Sequence, residues 1–272
     1  MRPAAGEAYG SASEVTGVKT AMRSHVGKVR QINEDRAWVA LPGNGLAAAV
    51  VADGMGGHKA GEVASELAVE SLSRSLSAWT EPLAAEETEE KLRAAVRSAN
   101  AVVYETASGN EAYSNMGTTV VLALLNESEG LIGHIGDSRA YRLRDGELRQ
   151  LTEDHTLVNE LARSGQLSPE EAARHPRRNV LTRALGTDKE VEVDVQRIDW
   201  KPGDRLLLCS DGLSGLVEGN MILGALAEPR DDLEQLADRL ISLALLAGGD
   251  DNVTVALIEY DAQAADGEGG SA

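Results

Sequence analysis

Short apolar runs alternate along the chain with longer stretches in which apolar residues recur every three or four positions, and this pattern predicts strands interleaved with helices. The runs "RAWVAL" (36–41) and "LAAAVVA" (46–52) flank the turn-forming segment "PGNG", so they predict a β-hairpin. Helical spacing follows over about 60–79 and 87–107. The first third of the chain therefore predicts one hairpin followed by two helices.

Strands return after the two predicted helices. "TTVVLALL" (118–125) and "GLIGHIG" (130–136) come first, and "RAYRLR" and "ELRQL" then flank Asp145-Gly146, a strong signal for a two-residue hairpin. The last strands are "VEVDVQRI", "DRLLLCS" and "NVTVALIEY", with a helix over about 231–247 before the final one. Antiparallel strand groups with helices in pairs predict an α+β fold of two packed sheets that carry helices on their outer faces.

The polar segment 152–186 interrupts this pattern, with helical pieces around 156–164 and 169–174. We expect it to form a small subdomain over the surface, called the flap below. Both ends of the chain are poor in large apolar residues, so 1–14 and 262–272 are predicted to be flexible tails. Neither a repeat nor a long linker divides the rest, and one domain over 15–261 is expected.

Composition narrows the possible partners and the compartment. Lysine and arginine number 26 against 44 acidic residues, and the formal net charge of −18 disfavours nucleic acid and anionic membranes as partners. The single cysteine, Cys209, lies in an apolar run and is expected in the core, which fits a reducing compartment. No apolar run reaches the ~20 residues that a membrane span needs. We therefore expect a cytoplasmic protein.

Acidic residues recur where the predicted strands end. Asp53, Asp137 and Asp211 each follow an apolar run, Asp251 directly precedes one, and Glu34 and Asp35 stand just before "RAWVAL". One such residue is ordinary, because turns favour aspartate. The repetition is not, and if these strand ends share one edge, the mutual repulsion of the carboxylates must be offset by protons or cations.

A set of oxygen ligands without cysteine or histidine favours hard ions such as Mg²⁺ or Mn²⁺ over zinc. Two such ions about 3.5–4 Å apart make a water acidic enough to attack phosphorus and neutralise the phosphoryl oxygens. The glycines after Asp53 fit this chemistry, because Gly54 can present an unhindered carbonyl to a metal.

Seven motifs in order resemble the bacterial metal-dependent serine/threonine protein phosphatases, the PPM or type 2C family: "VGKVRQINEDR", "ADGMGGHKAGE", "MGTTVV", "HIGDSRAYRL", "LTRALG", "LLCSDGL" and "GGDDNVTV". They span about 26–255, which is nearly all of the chain outside the tails. The resemblance implies a four-layer αββα sandwich, with two antiparallel sheets flanked by helix pairs. It also implies hydrolysis of phosphoserine and phosphothreonine in proteins.

The resemblance assigns metal ligands to particular residues. Asp53 would bridge two Mn²⁺ or Mg²⁺ ions, the Gly54 carbonyl would bind one of them, and Asp211 and Asp251 would complete the other. Glu34 would hold metal-bound water or ligate directly. Asp137 with Asp211 would bind a third, weaker ion, to which a backbone carbonyl of the flap at Asn179 is a candidate contributor.

Two further residues would contact the substrate. Arg30, four residues before Glu34, would grip the phosphate as a guanidinium fork. His58 would act as a general acid that protonates the departing seryl or threonyl oxygen. Family members with a differently spaced loop place their histidine directly after Asp-Gly, whereas His58 stands four residues after Gly54. We expect His134 and Arg139 to be structural.

The implied substrates are phosphoproteins of a pathway in which the chain opposes bacterial serine/threonine kinases, including a Hanks-type kinase as partner, and we expect a monomer. Two alternatives stay open at this point. One is the branch of the same fold that dephosphorylates anti-sigma-factor antagonists, whose members tend to depart from the Arg30 and "DGMGGH" pattern. The other is a catalytically silent adaptor, although such proteins typically lose a metal carboxylate. A cysteine phosphatase is excluded, because Gly215 occupies the position six residues after Cys209 where that chemistry needs arginine.

Overall fold

A computed structural model of the chain describes residues 17–41, 45–56, 59–80, 82–84, 87–113, 115–228 and 232–261. The predicted tails 1–14 and 262–272 lie outside these residues, and so does His58. Among the described helices, none combines the length and the apolar character that crossing a membrane requires.

The described strands are β1 (Val18–His25), β2 (Asp35–Ala40), β3 (Ala47–Met55), β4 (Gly117–Thr118), β5 (Val120–Leu125), β6 (Glu129–Ile135), β7 (Arg139–Arg144), β8 (Glu147–Gln150), β9 (Asp194–Asp199), β10 (Arg205–Cys209) and β11 (Val253–Tyr260). The described α-helices are α1 (Ala60–Ser77), α2 (Thr88–Gly109), α3 (Leu157–Arg163), α4 (Pro169–Arg174), α5 (Asp211–Ser214), α6 (Gly219–Leu226) and α7 (Leu233–Leu246).

The strands form two antiparallel sheets, as the sequence predicts. One sheet has the order β1-β11-β10-β7-β8 and the other the order β2-β3-β5-β6-β9, with β4 paired to β3. Helices α1 and α2 pack on the second sheet, and α6 and α7 pack on the first. This arrangement confirms the expected sandwich of two sheets between two layers of helices.

Strand β3 shows how the layers meet. Ala49 and Val51 face the interior between the two sheets, whereas Val50 and Ala52 face the core beneath α1 and α2. Successive side chains of a strand point to opposite faces. A strand that is covered on both faces therefore reads as a continuous apolar run, which is the character of "LAAAVVA".

Three boundaries differ from the prediction for identifiable reasons. The predicted strand 118–125 is split at Thr119, because Thr118 pairs with Gly54 of β3 and with Leu185 of the flap. Strand β9 begins at Asp194, three residues later than predicted, because its partner β6 ends at Ile135 and Gly136, at φ +104°, turns the chain away. Strand β3 extends through Asp53 and Gly54, which the sequence places after its end.

The flap contains both predicted helices. The Thr156 hydroxyl accepts a hydrogen bond from the Asn159 N–H at the start of α3, and Ser168 and Glu171 form a capping box at the start of α4. Backbone hydrogen bonds between Thr118 and Leu185 join the end of the flap to the sheet edge.

Candidate metal centre

The pairing registers bring the acidic strand ends to one end of the sandwich. Asp35 stands opposite Asp53 in the β2–β3 ladder. In the other sheet, the end of β10 at Cys209 pairs with Val255, near the start of β11. Asp211 and Asp251 therefore lie at neighbouring strand ends, although 40 residues of sequence separate them.

Asp53 is fixed through its backbone. Its N–H donates to the Thr119 hydroxyl (3.1 Å), and its carbonyl accepts from the Thr119 N–H (2.9 Å) and the Thr118 hydroxyl (2.9 Å). These contacts arise at the break between β4 and β5. The carboxylate is thus presented from a rigid strand rather than from the loop that the sequence predicts.

Gly54 lies where no side chain fits. A Cβ atom at this position would stand 2.0 Å from the Gly61 carbonyl oxygen, at the start of α1, and 2.6 Å from the Glu34 carbonyl oxygen. The Gly54 N–H donates to that Glu34 oxygen (3.1 Å). Glycine is required here because three backbone segments converge beside Glu34 and Asp53.

Burial and mutual repulsion raise the pKa values of the clustered carboxyl groups. The pKa of Asp53 is raised well above its ordinary value, first by burial and then by the charges of Asp35, Asp211, Asp137 and Asp251. Burial and then Asp251 raise the pKa of Asp211, and burial and then Asp211 raise the pKa of Asp137 to about 7. The structure thus places these carboxylates within electrostatic reach of one another.

The acidic cluster fits divalent cations. Its five members are each half-buried, as expected for a site that is open to solvent on one side: Asp53, Asp137, Asp211, Asp251 and Glu34. The buried oxygens Glu34 Oε1 and Asp35 Oδ1 accept no hydrogen bond from any described residue. Buried carboxylate oxygens without donors are costly unless a proton or a cation compensates them. The donors are all oxygen, which suits Mn²⁺ or Mg²⁺.

Asp35 is the acidic residue whose role the sequence does not indicate. It is buried, its Oδ2 accepts from the Ser210 hydroxyl (2.7 Å), and burial is the main cause of a pKa of about 7. The sequence feature that points to Asp35 is the register of the predicted hairpin. A turn centred on "PGNG" places position 35 within about one residue of the partner of Asp53.

Arg30 lies at the rim of the cluster. Its Nη2 donates to Asp251 Oδ2 (2.7 Å), and its side chain remains 49% exposed. A guanidinium carries five N–H donors, so most of the fork is available to a further anion.

The loop that carries Asp137 is braced by the start of the flap. Arg139 pairs with both oxygens of Asp154, which agrees with the structural role expected for it. His155 forms two hydrogen bonds with Gly136. The His155 ring Nδ1 accepts from the Gly136 N–H (3.1 Å), and the His155 backbone N–H donates to the Gly136 carbonyl (2.9 Å). Local sequence patterns do not indicate this role for His155.

A second group of possible metal ligands consists of His134, His155 and Asp194, whose ligand atoms lie within 4.8 Å of one another. The two imidazole rings are stacked, 4.6 Å apart and 17° from parallel. Imidazole lone pairs lie in the ring plane, so stacked rings do not converge on one ion. His155 Nδ1 already accepts a hydrogen bond from the Gly136 N–H and is therefore unprotonated, so Nε2 carries the hydrogen that it donates to Asp194 (3.2 Å). These groups form a hydrogen-bonded brace, and a cavity of about 490 Å³ lies beside it.

We expect the chelator-treated protein to lose stability as the pH rises from about 5 to about 8. Asp35 and Asp137 have pKa values of about 7 against an ordinary value of 3.8, so the folded protein binds more protons than the unfolded chain across this range. The stabilisation is complete below the unfolded pKa and is lost as the pH rises through about 7. Thermal unfolding at several pH values tests this, and saturating Mn²⁺ should flatten the dependence. An unfolding temperature that rises between pH 5 and 8 without metal would refute it.

Comparison with known proteins supplies an independent line of evidence. The sequence profile described as Protein phosphatase 2C matches residues 23–247. The serine/threonine phosphatase stp of Listeria monocytogenes is 44% identical over 239 residues, covering 88% of this chain and 94% of that protein. The serine/threonine protein phosphatase PstP of Mycobacterium tuberculosis is 43% identical over 247 residues, covering 90% of this chain and 46% of that protein.

Solved structures agree with these sequence matches. The crystal structure of the Mycobacterium tuberculosis phosphatase PstP/Ppp superposes with a TM-score of 0.81 at 41% identity, covering 90% of this chain and 99% of that one. The PstP catalytic domain in complex with two manganese ions gives a TM-score of 0.78 at 41% identity, covering 89% and 98%.

Proposed function

The chain belongs to the protein phosphatase 2C family and is a serine/threonine phosphatase, and we propose that its acidic cleft binds two Mn²⁺ or Mg²⁺ ions at which phosphoserine and phosphothreonine are hydrolysed. One observation carries the proposal. The carboxylates of Asp53, Asp137, Asp211 and Asp251 meet at one end of the two sheets, where burial and their own charges raise the pKa of Asp53 well above its ordinary value. Bound cations would relieve that repulsion.

Asp53 would bridge the two ions, the Gly54 carbonyl would contribute to one, and Asp211 with Asp251 would complete the other. When bound, such a pair lowers the pKa of water and neutralises charge on the phosphoryl oxygens. The other residues of the chain position the reactants. Glu34 would hold metal-bound water or ligate directly, and its Oε1, like Asp35 Oδ1, is a buried acceptor without a donor among the described residues.

A third ion is proposed at Asp137 and Asp211. Burial and then the Asp211 charge raise the pKa of Asp137 to about 7, which supports a cation between the two carboxylates. Asn179, an exposed residue of the flap, is proposed to contribute its carbonyl.

Phosphate release from phosphoserine and phosphothreonine peptides, with Mn²⁺ or Mg²⁺ present, tests the proposed function. We expect release from both peptides. Failure to hydrolyse either peptide with either ion would contradict it.

Replacing Arg30 by Ala should weaken substrate capture more than chemistry. The guanidinium lies at the rim of the cleft with most of its donors available, so it mainly binds and orients the phosphate. Hydrogen bonds to charged groups contribute about 1.5–3 kcal/mol, which predicts a KM rise of roughly 10- to 100-fold. Steady-state kinetics on a phosphothreonine peptide measures this. An unchanged KM with a collapsed kcat would show instead that Arg30 acts mainly in the transition state.

His58 is proposed as the general acid. Replacing it by Ala should slow hydrolysis of a phosphothreonine peptide by about 10²-fold, because the alkoxide leaving group needs a proton. p-Nitrophenyl phosphate should be hydrolysed at nearly the normal rate, because its leaving group is stable as an anion. Equal losses on the two substrates would remove this assignment.

The substrates are phosphoproteins. We propose that they include the targets of a Hanks-type kinase and the kinase itself. We also propose that the chain acts as a monomer in the cytoplasm. The relatives are named serine/threonine phosphatases, which supports action on the residue types that serine/threonine kinases phosphorylate. The single, buried Cys209 fits a reducing compartment. Mapping the phosphopeptides that accumulate in cells lacking the protein tests the pairing. Accumulation confined to sites that no Hanks-type kinase phosphorylates would oppose it.

A further inference from the structure

Arg30 lies in an irregular segment that joins β1 to β2. In residues 26–34 the described backbone forms neither helix nor strand. A side chain that grips phosphate needs a fixed backbone, because misplacement by about 1 Å can cost 10²-fold in rate. The contacts that fix this segment therefore bear on substrate binding.

The side chain of Asn252 ties the segment at both ends. Its Nδ2 donates to the Val26 carbonyl (2.9 Å) and to the Ile32 carbonyl (3.0 Å). Its Oδ1 accepts from the Glu34 N–H (2.8 Å). Asn252 is 5% exposed, and these three bonds use both of its amide hydrogens and its oxygen.

Asparagine is the residue type that this position needs. Val26 and Ile32 each present a carbonyl oxygen, and Glu34 presents an N–H. Aspartate would keep the bond to the Glu34 N–H, but its second carboxylate oxygen would stand in place of Nδ2 against the two carbonyl oxygens. Alanine would leave all three backbone groups without this partner.

Further contacts hold the segment 26–34 next to the loop that carries Asp251. The Lys28 N–H donates to the Gly249 carbonyl (2.7 Å). Gly27 has φ +83°, and a Cβ atom there would stand 2.2 Å from the Asp251 carbonyl oxygen. The Arg30 backbone is thus held where its side chain reaches Asp251.

Asn252 is itself anchored to the acidic cluster. Its backbone N–H donates to Asp251 Oδ1 (2.8 Å). Its carbonyl oxygen lies so close to Gly212, the residue after Asp211, that a Cβ atom on Gly212 would stand 1.8 Å from it. One residue therefore connects the Arg30 segment to the loops of Asp211 and Asp251.

We infer that Asn252 is the positioning residue for Arg30. It sets the distance between the Arg30 guanidinium, which binds the phosphate, and the metal-binding carboxylates of Asp211 and Asp251. The inference rests on the proposed role of Arg30 in binding phosphate. Asn252 contacts neither substrate nor the reacting atoms, and its effect on catalysis passes through the segment 26–34.

A double-mutant cycle tests this. Asn252→Ala, Arg30→Ala and the double variant are compared with the wild type on a phosphothreonine peptide at saturating Mn²⁺, with Mn²⁺ affinity measured by calorimetry on each protein. Asn252→Ala should raise KM about tenfold and leave Mn²⁺ binding close to normal. The double variant should lie within about twofold of Arg30→Ala, because the guanidinium that Asn252 positions is then absent.

Two further variants serve as an independent test and a control. Gly27→Ala disturbs the same segment from the other side with Asn252 intact, so it should also raise KM, and that rise should vanish in the Arg30→Ala background. Asn126→Ala removes an asparagine that accepts from the Ser128 and Glu129 N–H groups at the remote β5–β6 turn, and it should leave KM unchanged. Gly27→Ala carries the test if Asn252→Ala does not fold.

If the KM increases of Asn252→Ala and Arg30→Ala multiply in the double variant, the inference is overturned and the proposed function stays intact. An unchanged KM in Gly27→Ala would also overturn the inference. An unchanged KM in Arg30→Ala alone would contradict the role of Arg30 in the proposed function, and the inference would fail with it.

Discussion

Replacing Asp53 by Asn is expected to reduce turnover of a phosphothreonine peptide by about 10³-fold or more. Bound metal ions contribute several kcal/mol of transition-state stabilisation, and each 1.36 kcal/mol is a factor of ten in rate. One carboxylate is proposed to bridge both core ions, so the substitution should remove both together. Calorimetry with Mn²⁺ and steady-state kinetics on the same preparation measure the two effects.

The same substitution should stabilise the protein in chelator at neutral pH. Asn cannot ionise, so it removes the group whose charged form is disfavoured by burial and by Asp35, Asp211 and Asp137. Asp145→Asn, at the tip of the β7–β8 hairpin, is the matched control and should change neither activity nor metal binding. Two tightly bound ions in Asp53→Asn would contradict the bridging role.

Replacing Asp137 by Ala separates a structural role from a catalytic one. If Asp137 were only a turn residue after β6, the variant would lose stability and keep a normal kcat. If it binds a third ion with Asp211, the core pair should survive, because Asp53, Gly54 and Asp251 are unchanged. Turnover should nevertheless fall by about tenfold or more, as expected when a catalytic ion is lost, and extra Mn²⁺ should restore little of it.

Metal stoichiometry, thermal unfolding and peptide turnover are measured together on the folded Asp137→Ala protein. Its unfolding temperature in chelator at pH 7.5 should not fall, since a buried carboxyl group with a pKa of about 7 is removed. A folded variant with two tightly bound ions and a near-normal kcat would leave the third ion without support.

Much of the fold could be predicted because its signals are local. At the β7–β8 turn, Asp145 and Gly146 have the positive φ values of 51° and 79° that a two-residue hairpin requires. The strand β1 was not predicted, because its burial depends on β11 and only Val18 and Ala21 of its eight residues are buried. Helix α6 was also missed, since it has only eight residues, begins with Gly219 and contains Gly224, and is stabilised by packing on α7 and the first sheet.

The candidate site was predictable in its chemistry and less so in its connections. Acids at strand ends indicated an all-oxygen cluster, while the roles of individual residues came from the family resemblance. Local sequence patterns do not show that Asn252 reaches back 226 residues to Val26, or that His155 holds Gly136. Such contacts depend on which strands become neighbours, and turn residues or hydrophobic periodicity do not specify them.

We expect the acidic cleft to hydrolyse phosphoproteins only when divalent cations occupy it. The most direct test is phosphate release from a phosphothreonine peptide by exhaustively chelated wild-type protein, as Mn²⁺ or Mg²⁺ is titrated back and bound ions are counted on the same samples. We expect no turnover in the stripped protein, and recovery that follows the binding of the two core ions. Full turnover after chelation, or recovery with zinc alone, would contradict this dependence on Mn²⁺ or Mg²⁺.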